Sequence, residues 1–236
     1  MLRMIFCCLV TVVWAPTCCL LVLLVRLITF KDSAAYALFR FWARSTFLIG
    51  GIRRVPVGLD AVDLSQPRIY VANHPTSFDP LVMMSVIPGR LSAVGKKELR
   101  RIPIIGWVMM ACGWLFIDRG NLEKAKRSIA AAGEKIRGGL PVLIFPEGKR
   151  TGTPRELQEF KKGPFHMALE AQVPLQPARI VGWEKMIEPG SRIPRSGTIE
   201  IRFGKEVVPV ADDGVEDLRR KVRAEMELLL GEASTA

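Results

Sequence analysis

The chain has 236 residues, of which 49% are hydrophobic, and it carries a formal net charge of +11. This length suits one sizeable α/β domain with an appendage better than two full domains. The mean hydropathy of +0.22 is high for a wholly soluble protein. Nucleic acid is a common partner of basic chains, but the sequence has no recognition motif for it, so we predict no nucleic-acid partner.

The apolar excess is concentrated at the N-terminus. Residues 4–25 are uncharged over 22 positions, which as a helix would measure about 33 Å against a hydrocarbon core of about 30 Å. No small-residue cleavage site follows the run, so it is not typical of a removable signal peptide. Pro16 leaves open a bent or re-entrant pair of short helices. We therefore predict a retained, helical membrane anchor within residues 1–49.

A second apolar stretch, residues 34–49, contains Arg40 and Arg44 one turn apart among aromatic side chains. This pattern favours a helix at a membrane surface, with a core helix carrying two snorkelling arginines as the alternative. Residues 1–54 hold seven cations and one acid, 7 − 1 = +6, which leaves 11 − 6 = +5 for the rest. Six of the seven cations follow the first apolar run, and this predicts that the remaining chain lies on the cytoplasmic side of the membrane.

Four of the five cysteines lie in the first apolar run, and Cys112 stands alone. Their spacing predicts neither a disulfide framework nor a metal site, which fits a reducing compartment.

Gly50-Gly51 is expected to end the second helix and to begin a catalytic domain over residues 50–236. Helical patterns over residues 121–136 and 215–229 accompany short β-like segments. Strands alternating with helices predict an α/β fold with a central sheet flanked by helices on both faces, and functional residues in the loops after strand ends. The predicted strands are 68–72, 91–95, 114–118, 142–145, 175–181 and 198–203.

The most informative of these loops contains His74 and Asp79. Pro75 biases His74 away from helical backbone, and Pro80 suits a helix start with Asp79 as its N-cap. A turn between them can bring the imidazole and the carboxylate together, although five residues of continuous helix would not. Asp79 would then fix the imidazole tautomer and leave the other nitrogen as a general base. Taken alone, this short pattern is common enough to favour an ordinary N-cap beside a turn histidine.

Two further strand ends carry charge. Residues 116–119 end in Asp118-Arg119, and residues 145–151 contain Glu147, Gly148 and Arg150. With Lys149, Lys161 and Lys162, the two arginines form a cationic group that can hold a phosphate, unless these are ordinary solvated loop charges. Glu147 can orient the backbone or a substrate hydroxyl, or it can simply complete a turn.

Other chemistries lack their motifs. The sequence contains no nucleophile elbow, dinucleotide-binding fingerprint or P-loop, which disfavours serine hydrolases, dinucleotide enzymes and P-loop nucleotidases. The two histidines are 92 positions apart and give no clustered zinc ligands. His166 is predicted to be a packed residue rather than a second base.

Four blocks occur in order along the chain, namely Asn73–Asp79, Phe116–Arg119, Phe145–Arg150 and Val173–Pro177. Together they resemble the ordered blocks of the 1-acylglycerol-3-phosphate acyltransferase family. Residues 96–106 also resemble its segment between the first two blocks, and the likeness covers about 55–208. The family usually has threonine where this chain has Lys149 and serine where it has Thr151.

The resemblance implies transfer of a fatty acyl group from coenzyme A or acyl carrier protein to the sn-2 hydroxyl of lysophosphatidate. His74 and Asp79 would be catalytic, whereas Arg119, Glu147, Gly148 and Arg150 would bind the acceptor. No cofactor or metal is expected, because the acyl thioester is a substrate. The alternatives are an acyltransferase for another lysolipid, such as a lyso-ornithine lipid, and a non-enzymatic membrane-surface scaffold.

Overall fold

The computed structural model describes residues 14–118, 120–152, 156–187 and 194–231. Seven strands and seven α-helices are present in these ranges, and three short 3₁₀ turns lie at Leu59–Ala61, Lys97–Arg101 and Trp183–Lys185. The strands are β1 (Ile52–Val57), β2 (Ile69–Ala72), β3 (Ser92–Lys96), β4 (Leu115–Ile117), β5 (Val142–Ile144), β6 (Leu175–Val181) and β7 (Gly197–Phe203). The helices are α1 (Ala15–Thr29), α2 (Asp32–Ile49), α3 (Asp79–Val86), α4 (Ile105–Ala111), α5 (Leu122–Arg137), α6 (Gly163–Ala171) and α7 (Val215–Gly231).

The strands form one mixed sheet in the order β1-β7-β6-β2-β5-β3-β4. Neighbouring strands are parallel except for β6 and β7, which pair antiparallel. The central strands β6, β2 and β5 therefore run in the same direction, and their carboxyl ends lie at one edge of the sheet. This edge is where functional loops are expected in an open α/β sheet.

Alternation along β2 divides the core into two layers. Tyr70 and Ala72 belong to an apolar cluster with helices α1 to α4, whereas Ile69 and Val71 belong to a second cluster with α5 to α7. All four side chains are buried, because a strand inside the sheet sends successive residues to opposite covered faces. The predicted α/β sheet with helices on both faces is thus confirmed.

The two N-terminal helices pack into the first of these clusters. Val22 of α1 and Phe39 and Phe47 of α2 share it with residues of the sheet. Helix α1 begins with Pro16 in its first turn, and the predicted apolar run over residues 4–25 falls partly on residues 1–13, outside the described ranges. Among the described helices, none has both the length and the apolar character needed to cross a membrane.

The second apolar stretch forms α2, which ends at Ile49 before Gly50-Gly51, as predicted. One face of α2 is buried, including Phe39 and Phe47, while Phe41 and Leu48 on the other face are exposed. Arg44 extends from α2 to donate a hydrogen bond to the Ser85 carbonyl oxygen at 2.9 Å. The helix therefore joins the core along one side and leaves an apolar side uncovered.

All six predicted strands are present within one or two residues of their expected bounds. Helix α5 starts as expected, since the Asn121 side chain accepts a hydrogen bond from the Lys124 N–H at 3.1 Å. Strand β1 was not predicted. The prediction that His166 is packed is wrong, because its side chain is exposed on α6.

A glycine fixes the end of β6. Gly182 has a φ of 110°, and a Cβ at this position would lie 2.4 Å from the Thr198 carbonyl oxygen on β7. Gly139 also has a positive φ, 96°, but a Cβ there would meet nothing within 4 Å. The two glycines thus separate the effect of backbone conformation from that of steric contact.

We expect Gly182→Ala to lower the free energy of unfolding by roughly 2 to 5 kcal/mol, since a left-handed conformation and an overpacked contact both oppose it. Gly139→Ala should cost only about 1 to 2 kcal/mol, from the backbone term alone. Urea unfolding of the two variants measures the difference. Equal losses would show that the sheet accommodates the added methyl group.

Candidate active site

The predicted pair of His74 and Asp79 is brought together by the turn after β2. The Nδ1 atom of His74 lies 2.8 Å from Oδ2 of Asp79. The Asp79 side chain is fully buried, whereas 18% of the His74 side chain is exposed. Because a carboxylate can only accept, Nδ1 carries the proton and Nε2 remains free to act as a base.

Asp79 is held by three donors besides His74. The Thr76 N–H and hydroxyl donate to its two oxygens at 2.7 and 2.9 Å. The indole N–H of Trp183 donates to Oδ1 at 2.8 Å. Burial raises the pKa of Asp79, while the hydrogen bonds from His74 and Thr76 act in the opposite direction. Four donors shared between two oxygens fix the carboxylate in one orientation.

Residues within the turn between β2 and α3 determine its shape. Asp79 opens α3 with Pro80 in the first turn, and the Thr76 hydroxyl also accepts a hydrogen bond from the Phe78 N–H at 3.1 Å. Asn73, which is buried, bonds the main chain of Ile180 on β6 with both ends of its amide, at 3.0 and 2.7 Å. The Asn73 side chain thereby extends the pairing of β2 with β6 by one step and fixes where the turn begins.

The third block lies against the first. The Phe145 ring stacks on the His74 imidazole with centroids 4.1 Å apart and an interplanar angle of 15°. The Thr151 and Gly152 N–H groups donate to the carbonyl oxygens of His74 and Pro75 at 3.0 and 3.2 Å. These contacts follow from the pairing of β2 with β5, whose carboxyl ends lie side by side.

The Glu147 side chain is buried where the first and third blocks meet. Its two carboxylate oxygens accept hydrogen bonds from the backbone N–H groups of His74 and Gln158, at 3.3 and 3.4 Å. Burial raises the pKa of Glu147, and these two N–H groups oppose the shift. Its observed contacts orient the backbone, which is one of the three roles considered for it. Contact with a substrate hydroxyl remains a prediction.

The predicted cationic group is only partly assembled in the described structure. Arg150 donates a hydrogen bond to the Ser77 hydroxyl and so lies beside the turn that carries His74 and Asp79. Gly148 takes up a φ of 70° in the same loop. Lys162 instead pairs with Glu216 on α7 at 2.9 Å. Arg119 lies outside the described residues, and its neighbour Asp118 pairs with Lys97 at 2.6 Å.

Comparison with known proteins agrees with this geometry. A sequence model of the family described as Acyltransferase matches residues 52–181, more than half of the chain. The chain belongs to the acyltransferase family. The match includes all four blocks and ends at the last residue of β6, so it covers the turn after β2 and the strand ends that build the site.

Named relatives give the same family. A 1-acyl-sn-glycerol-3-phosphate acyltransferase of Haemophilus influenzae is 31% identical, over 68% of this chain and 68% of that protein. The Saccharomyces cerevisiae protein of the same name is 26% identical, over 74% of this chain and 61% of its own length. The chain spans about half to two thirds of the length of the first curated relatives it matches.

The fold is also that of a solved acyltransferase structure. The 1-acyl-sn-glycerophosphate acyltransferase PlsC from Thermotoga maritima superposes with a TM-score of 0.77, at 22% identity. The match covers 100% of this chain and 96% of the PlsC chain. It places the α/β sheet and its helices among known acyltransferase folds.

Trp183 is the site residue that motif reading missed. It follows β6, is buried, and lies 5.8 Å from the Phe78 ring, centroid to centroid. Trp114 provides a matched control, since in the described structure its indole nitrogen is buried without a hydrogen-bond partner. Replacing either indole by phenylalanine keeps an aromatic ring, but only the Trp183 variant loses a hydrogen bond to Asp79.

We expect Trp183→Phe to lower kcat for acyl transfer about tenfold with little change in KM, because a hydrogen bond to a charged group contributes roughly 1.5 to 3 kcal/mol. Loss of the donor also favours protonated Asp79, so the acid limb of the pH–rate profile should move to higher pH. Trp114→Phe should change neither quantity. An unmoved acid limb in a folded Trp183→Phe variant would refute the positioning role.

Proposed function

We propose that this acyltransferase moves a fatty acyl group from an acyl thioester to the sn-2 hydroxyl of 1-acylglycerol-3-phosphate, giving phosphatidate. Acyl-CoA or acyl carrier protein would supply the acyl group. The observation that carries the proposal is the His74–Asp79 pair, with one imidazole nitrogen bound to a buried carboxylate and the ring partly exposed. The names of the curated relatives support the choice of acceptor.

In the proposed reaction, Nε2 of His74 takes the proton of the acceptor hydroxyl as its oxygen attacks the thioester carbonyl carbon. Asp79 stabilises the imidazolium that forms. The tetrahedral intermediate then collapses, the carbon–sulfur bond breaks, and the proton on His74 passes to the leaving thiolate. Backbone amides near the first or third block would stabilise the oxyanion. Neither a covalent acyl-enzyme nor a cofactor takes part.

The acceptor phosphate would be held by Arg119 and Arg150, with Glu147 and Gly148 shaping the loop that presents Arg150. The observed contact between Arg150 and Ser77 supports this assignment, since it holds a guanidinium beside the turn that carries His74. A guanidinium binds phosphate oxygens through two parallel hydrogen bonds, which favours arginine at this position.

We further propose that the protein is attached to a membrane through α1 and α2, with the catalytic domain on the cytoplasmic face. Several apolar side chains on these helices are exposed, among them Leu24, Leu27, Ile28, Phe41 and Leu48. Exposed apolar side chains in such numbers are typical of a lipid or protein contact. Membrane attachment would bring the active site to an acceptor that resides in the bilayer.

Replacing the base tests the mechanism. His74→Ala should lower turnover by about 10² to 10⁴, the usual range for loss of a general base. Asp79→Asn should also be severe, because an amide can favour the other imidazole tautomer. His166→Ala is the matched control, since His166 is the only other histidine and is exposed on α6. Near-normal turnover of a folded His74→Ala variant would rule out this mechanism.

Replacing Arg150 tests the acceptor. With Arg150→Ala, the Michaelis constant for lysophosphatidate should rise about tenfold or more, because a charged hydrogen bond is lost, while that for the thioester should barely change. Arg150→Lys should recover part of the loss. Arg220→Ala is the control, because Arg220 is a highly exposed cation on α7.

A phosphate-free lysolipid, such as a lyso-ornithine lipid, should be a poor acceptor and insensitive to Arg150→Ala. If that lipid were the better acceptor, the lysophosphatidate assignment would be wrong although the acyltransferase mechanism could stand. If the protein consumed no thioester with any lysolipid acceptor, a membrane-surface scaffold would replace acyl transfer as the proposed function.

A further inference from the structure

An exposed apolar surface lies on the catalytic domain, over residues 102–110 at the start of α4 and along it. We call it the α4 tip. Single exposed apolar side chains are ordinary, but five within nine positions mark an interaction surface. The tip consists of Ile102, Ile104, Ile105, Trp107 and Met110, which are 36% to 54% exposed.

The backbone of the tip has a defined and strained conformation. Ile104 has φ 64° and ψ −60°, and the Ile105 N–H donates to the Pro103 carbonyl oxygen at 2.7 Å to close a three-residue turn around it. A β-branched residue rarely takes up positive φ. Behind the turn, a Cβ on Gly106 would lie 2.4 Å from the Arg100 carbonyl oxygen, so only glycine fits. Strained turns held by close packing tend to occur at functional surfaces.

Cations precede the apolar side chains. Lys96, Lys97, Arg100 and Arg101 are exposed, and Glu98 is the one acid between residues 96 and 110, so this segment carries 4 − 1 = +3. Exposed isoleucine and tryptophan next to arginine and lysine are typical of elements that enter the headgroup region of an anionic bilayer.

The tip also belongs to a helix that contacts the proposed membrane attachment. Helix α1 packs against α4, and exposed leucines of α1 include Leu20, Leu24 and Leu27. One apolar surface can therefore include side chains from both the N-terminal helices and the catalytic body. This proximity to α1 favours a lipid surface over a separate protein partner.

We propose that the α4 tip is a second lipid-contacting element, inserting Ile104, Ile105 and Trp107 into the same leaflet that α1 contacts. Arg100 and Arg101 bind the phosphates of anionic lipids. The inference rests on the proposed membrane attachment and extends it, because the catalytic body itself becomes fixed to the bilayer. The body then has a defined orientation at the membrane surface.

Vesicle flotation of the full-length protein tests the apolar contacts. Ile105→Gln combined with Trp107→Gln should weaken binding to phosphatidylcholine–phosphatidylglycerol vesicles at least tenfold, since two apolar side chains lose burial. The matched control is Val208→Gln combined with Val210→Gln, which alters two residues 54% and 58% exposed beyond β7. The control should bind as the unmodified protein does, and unchanged melting temperatures would show that each variant is folded.

The charge contribution is measured separately. Arg100→Ala with Arg101→Ala should reduce the preference for phosphatidylglycerol over pure phosphatidylcholine vesicles by about fivefold per cation. Lys126→Ala with Arg127→Ala on α5 should leave that preference unchanged. Quenching by brominated lipids should also reach Trp107, so Trp107→Phe should remove part of the quenching seen in the unmodified protein.

Leu24→Gln with Leu27→Gln tests the underlying attachment through α1. If this change weakens binding while the tip variants do not, the inference is overturned and the proposed attachment stands. If none of the variants alters binding, both are overturned. If the tip variants bind vesicles normally but show a raised Michaelis constant for a carrier-protein thioester, the tip is a protein-docking surface and the lipid assignment is wrong.

Discussion

The buried carboxylate of Asp79 constrains the structure around the candidate active site. A carboxylate removed from water must be matched by donors, or its ionised form becomes too costly to maintain. Here the donors come from His74, Thr76 and Trp183, which lie in two separate parts of the chain. The hydrogen bonds that Asp79 requires therefore join the end of β2 to the end of β6. One of these bonds also orients the imidazole of His74.

The third block contributes in a different way, through backbone and ring contacts. Phe145 covers one face of the imidazole, and the Glu147 carboxylate accepts a hydrogen bond from the backbone N–H of His74. The loop after β5 thus restricts the same histidine by packing and by main-chain bonding. Because β2 pairs in parallel with both β5 and β6, the carboxyl ends of the three strands lie side by side.

The parts of the site that could be predicted are those governed by local sequence. Two prolines and an acid within seven residues predict the turn between His74 and Asp79 and allow the pair, although the pattern alone favours an ordinary helix start beside a turn histidine. The predicted N-cap role of Asp79 is wrong, because Phe78 holds the N-cap position and Asp79 is the first helical residue. The contact from Trp183 to Asp79 joins residues 104 positions apart, and no local pattern reveals it. A helical projection would have found the exposed position of His166, because its neighbours Phe165 and Met167 are buried on the opposite side of α6.

The fold also divides into elements that the local sequence predicts and elements that depend on distant partners. Buried strands such as β2 and β5 are short apolar runs, which are readable from composition. Strand β1 reads Ile-Arg-Arg-Val-Pro-Val, and its charges and proline suit only an edge strand, so the pattern is weak. The antiparallel direction of β7 depends on its partner β6 rather than on its own residues, and sequence pattern carries no information about it.

The pairing of β1 with β7 has a consequence for the order of assembly. Ile52 pairs with Gly197, so this edge of the sheet cannot close until most of the chain has left the ribosome. Bringing together such distant segments requires a large loss of chain entropy before any contact compensates for it. The apolar α1 and α2 emerge long before that moment, while the layer they will cover is still missing. During synthesis these helices therefore need another apolar environment, and a nearby bilayer or a chaperone would supply it until the sheet forms.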